Sequence, residues 1–341
     1  MEVLANKQSS HEPASNQLDS LLNQLPFKYE SLRISEDQRP DGFKFFSNGF
    51  TIETHYDGKE IIVCGEAFDA TTATAKAISE LIERSVLIKY TAKNSALNKT
   101  SNGWAAHFEK KQAQFNAALE IIERDAVLAQ WYSATPFFEI EITSLPKSIT
   151  DWVETQLSRS EFPVLKILAS SKGIGPSVTC VLMNERGFGV CGHSSKIDLL
   201  FAIENAIGEA CRAGHLILRN AHYEDSKILM SGDLGIKINP GAHAVYYAYQ
   251  ETFPNWMFGE KISWTNAVHS WNLKMTNFAS IQFFDFAIET VLTEPVFVCF
   301  AKHSEALELS WGAIGFDKIR NLNANKRLLG NKINLKPHPI S

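Results

Sequence analysis

An α+β fold, with mixed and antiparallel sheets and long helices between them, is predicted by three observations. Asp57-Gly58 stands between two runs of strand character. Alanine-rich stretches near 70–90, 108–132 and 198–218 carry apolar residues at helical spacing. Four short strand-like runs lie between 137 and 191, in the interval that separates the second helix from the third. No stretch between Gly65 and Ala301 has linker composition, so the expectation is one α+β domain over 46–341, preceded by flanking residues 1–45.

The flank opens with a polar tail, Gln8-Ser9-Ser10-His11-Glu12-Pro13, and continues with Leu18, Leu21, Leu22 and Leu25 at the spacing of a short amphipathic helix. Thr51 to Tyr56 and Lys59 to Cys64 then flank Asp57-Gly58, the strongest short hairpin signal a sequence offers. Asp69 is placed to cap a helix over 70–90 whose apolar set includes Ala77, Ile78, Leu81, Ile82, Val86 and Leu87. After a polar loop ending near Gly103, a second helix over 108–132 repeats the layout with Ala118, Ile121 and Ile122. Strands are expected at 137–142, 163–169, 177–183 and 188–191, the middle two joined by a turn at Lys172-Gly173-Ile174-Gly175-Pro176. A third helix over 198–218 carries Glu204, Glu209 and Arg212, and two further strands are expected at 280–286 and 295–301.

Composition narrows the function classes. With 341 residues, 45% hydrophobic and 21% charged, the chain has ample material for a core. A net charge of −5 argues against a nonspecific nucleic-acid binder. Five scattered cysteines, without a Cys-x-x-Cys pair, fit buried thiols in a reducing compartment, and the cytoplasm is the expected location. No apolar run has the length of a membrane span, and residues 1–6 lack the pattern of a signal peptide.

The chemistry sits in a repeated segment. Glu80-Leu81-Ile82-Glu83-Arg84 recurs as Glu120-Ile121-Ile122-Glu123-Arg124, each inside an alanine-rich helix. One copy reads as an ordinary ion pair on a helix surface. Two copies, with Glu209 on a third helix, also fit a metal–triphosphate site, which needs hard oxygen ligands on rigid elements and arginines for the phosphates. Both readings stand on the residues alone. No P-loop, no Gly-x-Gly-x-x-Gly, no His-Glu-x-x-His and no Gly-x-Ser-x-Gly occurs, so a nucleotide here would be held by side chains and metal. The end, Pro337-His338-Pro339-Ile340-Ser341, reads on composition as an extended, solvated tail.

Together these residues resemble the YcaO family. Gly65 through Arg84 is similar to its glycine loop and alanine-rich helix ending Glu-x-x-Glu-Arg. Ser101-Asn102-Gly103-Trp104-Ala105-Ala106 and Glu120 through Ala126 match its second signature without gaps, and Ala202 to Glu209 matches the third. The resemblance implies ATP and Mg2+ bound between these helices. Glu80, Glu83, Glu120, Glu123 and Glu209 would be metal or nucleotide ligands, and Arg84, Arg124 and Arg212, together with Gln112 and Asn116, would bind the nucleotide. Family members activate peptide amide oxygens by phosphorylation. Azoline-forming members end in a proline-rich tail that reaches the active site, which assigns Pro337, Pro339 and Ser341 a catalytic place.

The implied function is cyclodehydration of Cys, Ser or Thr in a ribosomally made precursor peptide. A ThiF-like or leader-peptide-binding partner protein and homodimerisation are expected at family level. Several positions depart from the pattern. Gln112 stands where a glutamate is usual, Asn116 where a glutamine is, Lys76 where a serine is frequent, and Gly214 near the usual distal arginine. A scaffold without ATP turnover therefore remains an alternative, as does an accessory factor for thioamide, amidine or ribosomal-protein modification.

Overall fold

The computed structural model describes residues 22, 25–36, 38–91, 102–231, 239–271, 278–288, 295–309, 311, 316–328 and 333–340. In chain order, these give β1 (Glu30–Glu36), β2 (Asn48–Tyr56), β3 (Lys59–Ala67), α1 (Ala70–Thr91), β4 (Trp104–His107) and α2 (Lys110–Tyr132). Then come β5 (Phe137–Ile140), α3 (Lys147–Thr155), β6 (Val164–Ala169), β7 (Val178–Met183), β8 (Gly189–Ser194) and α4 (Leu199–Leu218). The remainder holds α5 (Tyr223–Ser231), α6 (Pro240–Tyr249), β9 (Phe258–Ile262), α7 (Trp264–Ser270), β10 (Ile281–Ile288), β11 (Val296–His303) and α8 (Phe316–Ala324). The class is α+β, and the chain divides into two compact units.

The first unit comprises 1–38, 46–118 and 281–302. Asp57 and Gly58 both take positive φ (51° and 68°), and Tyr56 faces Lys59, so β2 and β3 are joined by the expected two-residue turn. With β1 they form an antiparallel sheet in the order β1-β2-β3. Asp69 caps α1 by accepting the Thr72 N–H at 2.8 Å, a bond that holds its carboxyl below the usual range. Ile52, Val63, Leu81, Ile82 and Val86 make the core together with Trp104 and Phe300 of the second sheet, ordered β10-β11-β4. Of the predicted N-terminal helix, Leu18 and Leu21 lie outside the described residues, whereas Leu22 and Leu25 are buried in this core.

The second unit comprises 39–45, 119–280 and 303–341. Its sheet runs β8-β7-β6-β5-β9, antiparallel except for the β5–β9 pair. The turn expected at Gly173 joins β6 and β7. Gly173 has φ of +108°, and a Cβ there would stand 2.5 Å from Ala126 Cα, so the turn lies directly on α2. The core gathers Trp131, Tyr132, Phe137, Leu168, Val181, Tyr247 and Ile340.

Three differences from the sequence reading have physical causes. β8 runs on to Ser194 rather than stopping at Cys191, because Gly192, His193 and Ser194 keep their pairing with Cys180, Thr179 and Val178 in a strand buried along its whole length. The stretch entering α2 contains β4, whose residues pair with β11 across the chain, as in Cys299 with Ala105. β1 alternates Leu32 and Ile34 with charged and polar residues at a sheet edge, where charge is no obstacle.

Candidate functional site

In both units a glycine on a strand lets a helix come close enough for a helix glutamate to take a strand N–H. In the first unit, a Cβ on Gly65 would meet Ala73 O at 2.0 Å and Ala77 N at 2.4 Å. Only glycine opposite small residues permits that approach. Glu80 on α1 then accepts the Cys64 N–H through Oε2 at 3.3 Å, while its Oε1 pairs with Arg84 at 3.3 Å. Glu83 lies beside them, half-buried. On α2 the Gln112 amide donates to Asn116 Oδ1 at 2.9 Å, so two of the residues that depart from the family pattern are bonded to each other. Lys76 donates to the Glu66 carbonyl at 2.9 Å.

In the second unit the glycine is Gly192. A Cβ there would stand 2.3 Å from Ala206 O and 2.7 Å from Glu209 Cβ, so α4 is seated against β8. Glu209 Oε2 accepts the His193 N–H at 2.6 Å. Two residues further along the same strand direction, the Ser195 N–H donates to Glu123 Oε2 at 3.2 Å. Successive outward N–H groups of one strand edge thus hold the carboxylates of two helices.

Arg124 Nε approaches Glu123 Oε1 at 3.5 Å, with only 13% and 12% of the two side chains exposed. Burial raises the proton affinity of Glu123 strongly. Arg124 opposes this, and the neighbouring charges of Glu209 and Glu120 add to it. Burial acts the same way on Glu209, but there Arg124, His193, Arg212 and the His193 N–H together prevail and hold it below the usual carboxyl range. Three glutamates, Glu120, Glu123 and Glu209, are thus gathered around Arg124, with Arg212 acting on Glu209 and Lys196 on Glu123. Arg124 Nε and Nη1 are also buried without a hydrogen-bond acceptor among the described residues.

This donor set fits a divalent cation carrying phosphates. The gathered carboxylates call for positive charge, and the unspent guanidinium N–H groups call for anionic oxygens. Among the described residues, no three His, Cys, Asp or Glu side chains are close enough to hold a metal by themselves. Mg2+ is ordinarily held by one or two carboxylates, with phosphates and water completing its shell.

The segment bearing Glu123 and Arg124 is fixed from its other side by Asp125. This fully buried carboxylate receives Arg327 in a two-pronged pair at 2.5 and 2.6 Å and the N–H groups of Ile174 and Leu307 at 2.8 Å each.

The C-terminal segment is not a solvated tail. His338, Pro339 and Ile340 are buried, and four consecutive carbonyls each meet a side chain. Trp131 Nε1 donates to Lys336 O at 3.0 Å, and Tyr247 Oη donates to Pro337 O at 2.8 Å. His243 Nδ1 lies 2.9 Å from His338 O, and Cys191 Sγ donates to Pro339 O at 3.4 Å. The His243 and His338 rings stack at 4.4 Å. Proline-rich composition suggested solvent, but these partners come from α2, α6 and β8 and are invisible locally. Ser341 lies outside the described residues.

The second unit therefore brings together Glu120, Glu123, Arg124, Glu209 and Arg212, with Ile340 in its core and the carbonyls of Pro337 and Pro339 bonded to Tyr247 and Cys191. Glu80, Glu83, Arg84, Gln112 and Asn116 belong to the first unit. Cys191, His193, Ser195, Trp131, Tyr247 and His243 were not singled out from sequence. For Cys191, His193 and Ser195 the signal is their alternation next to Gly192; Trp131, Tyr247 and His243 have no such local signal.

A match to the family described as YcaO cyclodehydratase, ATP- and Mg2+-binding, spans residues 87–271, more than half the chain. No curated protein sequence matches significantly. Among solved structures, the fold is similar to YcaO from Methanopyrus kandleri bound with AMPPCP and Mg2+, with a TM-score of 0.58 at 13% identity, covering 86% of this chain and 91% of that one. It is similar to a heterocyclase in complex with substrate and cofactor, with a TM-score of 0.58 at 11% identity, covering 96% of this chain and 58% of that one. The E. coli microcin synthetase McbBCD complex gives a TM-score of 0.50 at 13% identity over 81% of this chain and 88% of that one. With its signature glutamates and arginines on α1, α2 and α4, and with the family match over the middle of the sequence, this chain belongs to the YcaO family.

Proposed function

We propose that this protein uses ATP and Mg2+ to activate backbone amides of a peptide, and that the reaction is cyclodehydration of Cys, Ser or Thr in a ribosomally made precursor to azolines. The observation that carries this reading is the buried Glu123–Arg124–Glu209 cluster, rich in carboxylate and in unspent guanidinium N–H, within the same unit as a docked proline-containing terminus. Bound Mg-ATP supplies the phosphoryl group that turns the amide oxygen into a leaving group, with net loss of one water.

The chain's own residues hold and orient. Glu123 and Glu209 are metal ligands kept in place by the strand N–H groups of Ser195 and His193. Arg124 offers its free N–H groups to phosphate oxygens, and Arg212 adds positive charge near Glu209. Glu120 is a further ligand within the second unit, and within the first unit Glu80, Glu83, Arg84, Gln112 and Asn116 are metal or nucleotide contacts in their own right. Pro337, Pro339 and Ser341 present the tail to the reacting amide. The precursor is delivered by a ThiF-like or leader-peptide-binding partner, a reading supported by the similarity to the McbBCD complex.

A scaffold role has its own support. At Gly214 a Cβ would meet the buried Phe43 ring at 2.3 Å, so a side chain there requires that ring to move, near the place where the family's distal arginine is usual. Assay of the purified protein with its candidate partner and precursor separates the two. Mg2+-dependent ATP hydrolysis stimulated by precursor, with loss of one water mass per modified residue, is the expected result. Absence of nucleotide binding by calorimetry would establish the scaffold instead.

A further inference from the structure

Strand β8 touches both the carboxylates and the tail, and does so with different atoms. Its main chain serves the carboxylates, through the N–H groups of His193 and, just past its end, Ser195. Its side chains serve the tail. Thr179 Oγ1 lies 2.9 Å from His193 Nδ1, His193 Nε2 lies 3.4 Å from Cys191 Sγ, and Cys191 Sγ donates to Pro339 O at 3.4 Å. A thiol has one proton. With a proton on Nε2, the His193 ring faces both Cys191 Sγ and the Pro339 carbonyl and accepts from the Thr179 hydroxyl at Nδ1. The Cys191 thiol and the His193 ring thus converge on the Pro339 carbonyl, with Thr179 fixing the ring behind them. Every member is buried, at 0%, 3% and 1% exposure for Thr179, His193 and Cys191, so each bond forms without competing water.

We propose that Cys191 and His193 are positioning residues that seat the C-terminal tail beside the Glu209 carboxylate, and that they do so independently of the strand N–H groups holding that carboxylate. A role for the seated tail in cyclodehydration rests on the proposed function above; the seating itself does not. Division of labour between main chain and side chains has a sharp consequence. Replacing the side chains releases the tail and leaves the cation-binding carboxylates in place. General loosening of the sheet would disturb both.

The test uses the full-length protein and three variants. Cys191→Val fills similar volume without a donor, Cys191→Ser restores one, and His193→Ala removes the ring that meets both Cys191 and the Pro339 carbonyl. Hydrogen exchange is read at the amides of His338 and Ile340, since Pro337 and Pro339 have none. Affinity for Mg-AMPPCP is measured on the same samples. In the parent protein both amides exchange slowly. In Cys191→Val and His193→Ala they exchange about tenfold faster or more, in Cys191→Ser less so, and analogue affinity stays within about threefold in the two Cys191 variants. Unchanged exchange in Cys191→Val and His193→Ala overturns the proposal. So does a parallel loss of analogue affinity and of exchange protection across the whole sheet. If the parent protein binds no analogue, the proposed function fails, while the exchange data, with protection of β6 and β7 as the measure of sheet integrity, still decide the seating.

Discussion

At Glu123, burial is the largest influence on the carboxyl; Arg124 and Lys196 oppose it, Glu209 and Glu120 add to it, and the proton is held up to about 8 against the ordinary carboxyl value of 4.5. For a carboxyl raised in this way, the contribution to stability is complete below its unfolded pKa and disappears as pH rises through the folded one. A divalent cation reverses the balance by favouring the ionised form. Binding of Mg-AMPPCP near neutral pH is therefore expected to release about one proton. Calorimetry in buffers of different ionisation enthalpy measures that number directly, and a value of zero would remove Glu123 from the ligand set. Glu123→Gln should abolish the release and weaken binding about tenfold or more, while leaving the unliganded fold at least as stable at pH 8. The identity of this residue was legible in the repeated Glu-x-x-Glu-Arg. Its partner was not: Ser195 lies 72 positions away, and no local pattern announces a loop N–H that will meet a helix glutamate.

Elements whose causes are local were the ones sequence reading recovered. The β2–β3 hairpin follows from Asp57-Gly58 in the left-handed region, and α1 starts where Asp69 caps it. α4 was equally legible, with Asp198 accepting the Phe201 N–H at its start. The last half of β8 was not, since Gly192-His193-Ser194 has poor strand propensity and is extended only because β7 pairs with it. Yet Gly192 is the position on which the element-level geometry turns. Gly192→Ala would place a methyl carbon 2.3 Å from Ala206 O and 2.4 Å from Ala210 N, both backbone atoms of a rigid helix. The helix must retreat, carrying Glu209 away from the His193 N–H. Expected consequences are a loss of about 1–3 kcal/mol in stability and a marked fall in Mg-AMPPCP affinity. Gly58→Ala is the control: nothing lies within 4 Å of its Cβ, so only the strained φ of +68° is felt, at a cost of about 1 kcal/mol and with binding unchanged. Denaturant melts and calorimetry on the two variants separate helix displacement from ordinary destabilisation.

For the whole molecule, the two compact units were hidden from composition because the first is assembled from three separate chain segments, and no single linker marks its limits. The end of the chain was hidden for a related reason, since Ile340 belongs to a core built mainly from residues between 127 and 328. That burial gives the second unit a particular weakness to acid. His243 lies in contact with the tail through His338, and burial holds it down to about 4; burial does the same to His193. A histidine depressed in the fold contributes stability that is complete above its unfolded pKa of about 6.5 and is lost as pH falls through its folded value. Each of the two can therefore withdraw about 3 kcal/mol at most between pH 6.5 and 4. The expected behaviour is a steep decline in unfolding free energy over that interval, with His338 and Ile340 amides losing exchange protection at a higher pH than the centre of the sheet. His243→Gln, which keeps a donor for the His338 carbonyl but does not titrate, should remove one histidine's share, which is most of the net slope between pH 4.5 and 6.5 because the raised carboxyl of Glu123 offsets the other. A slope unaltered by that substitution would mean that His243 is not a source of the acid sensitivity, and that the tail is held by its carbonyl partners without regard to the charge state of the ring beneath it.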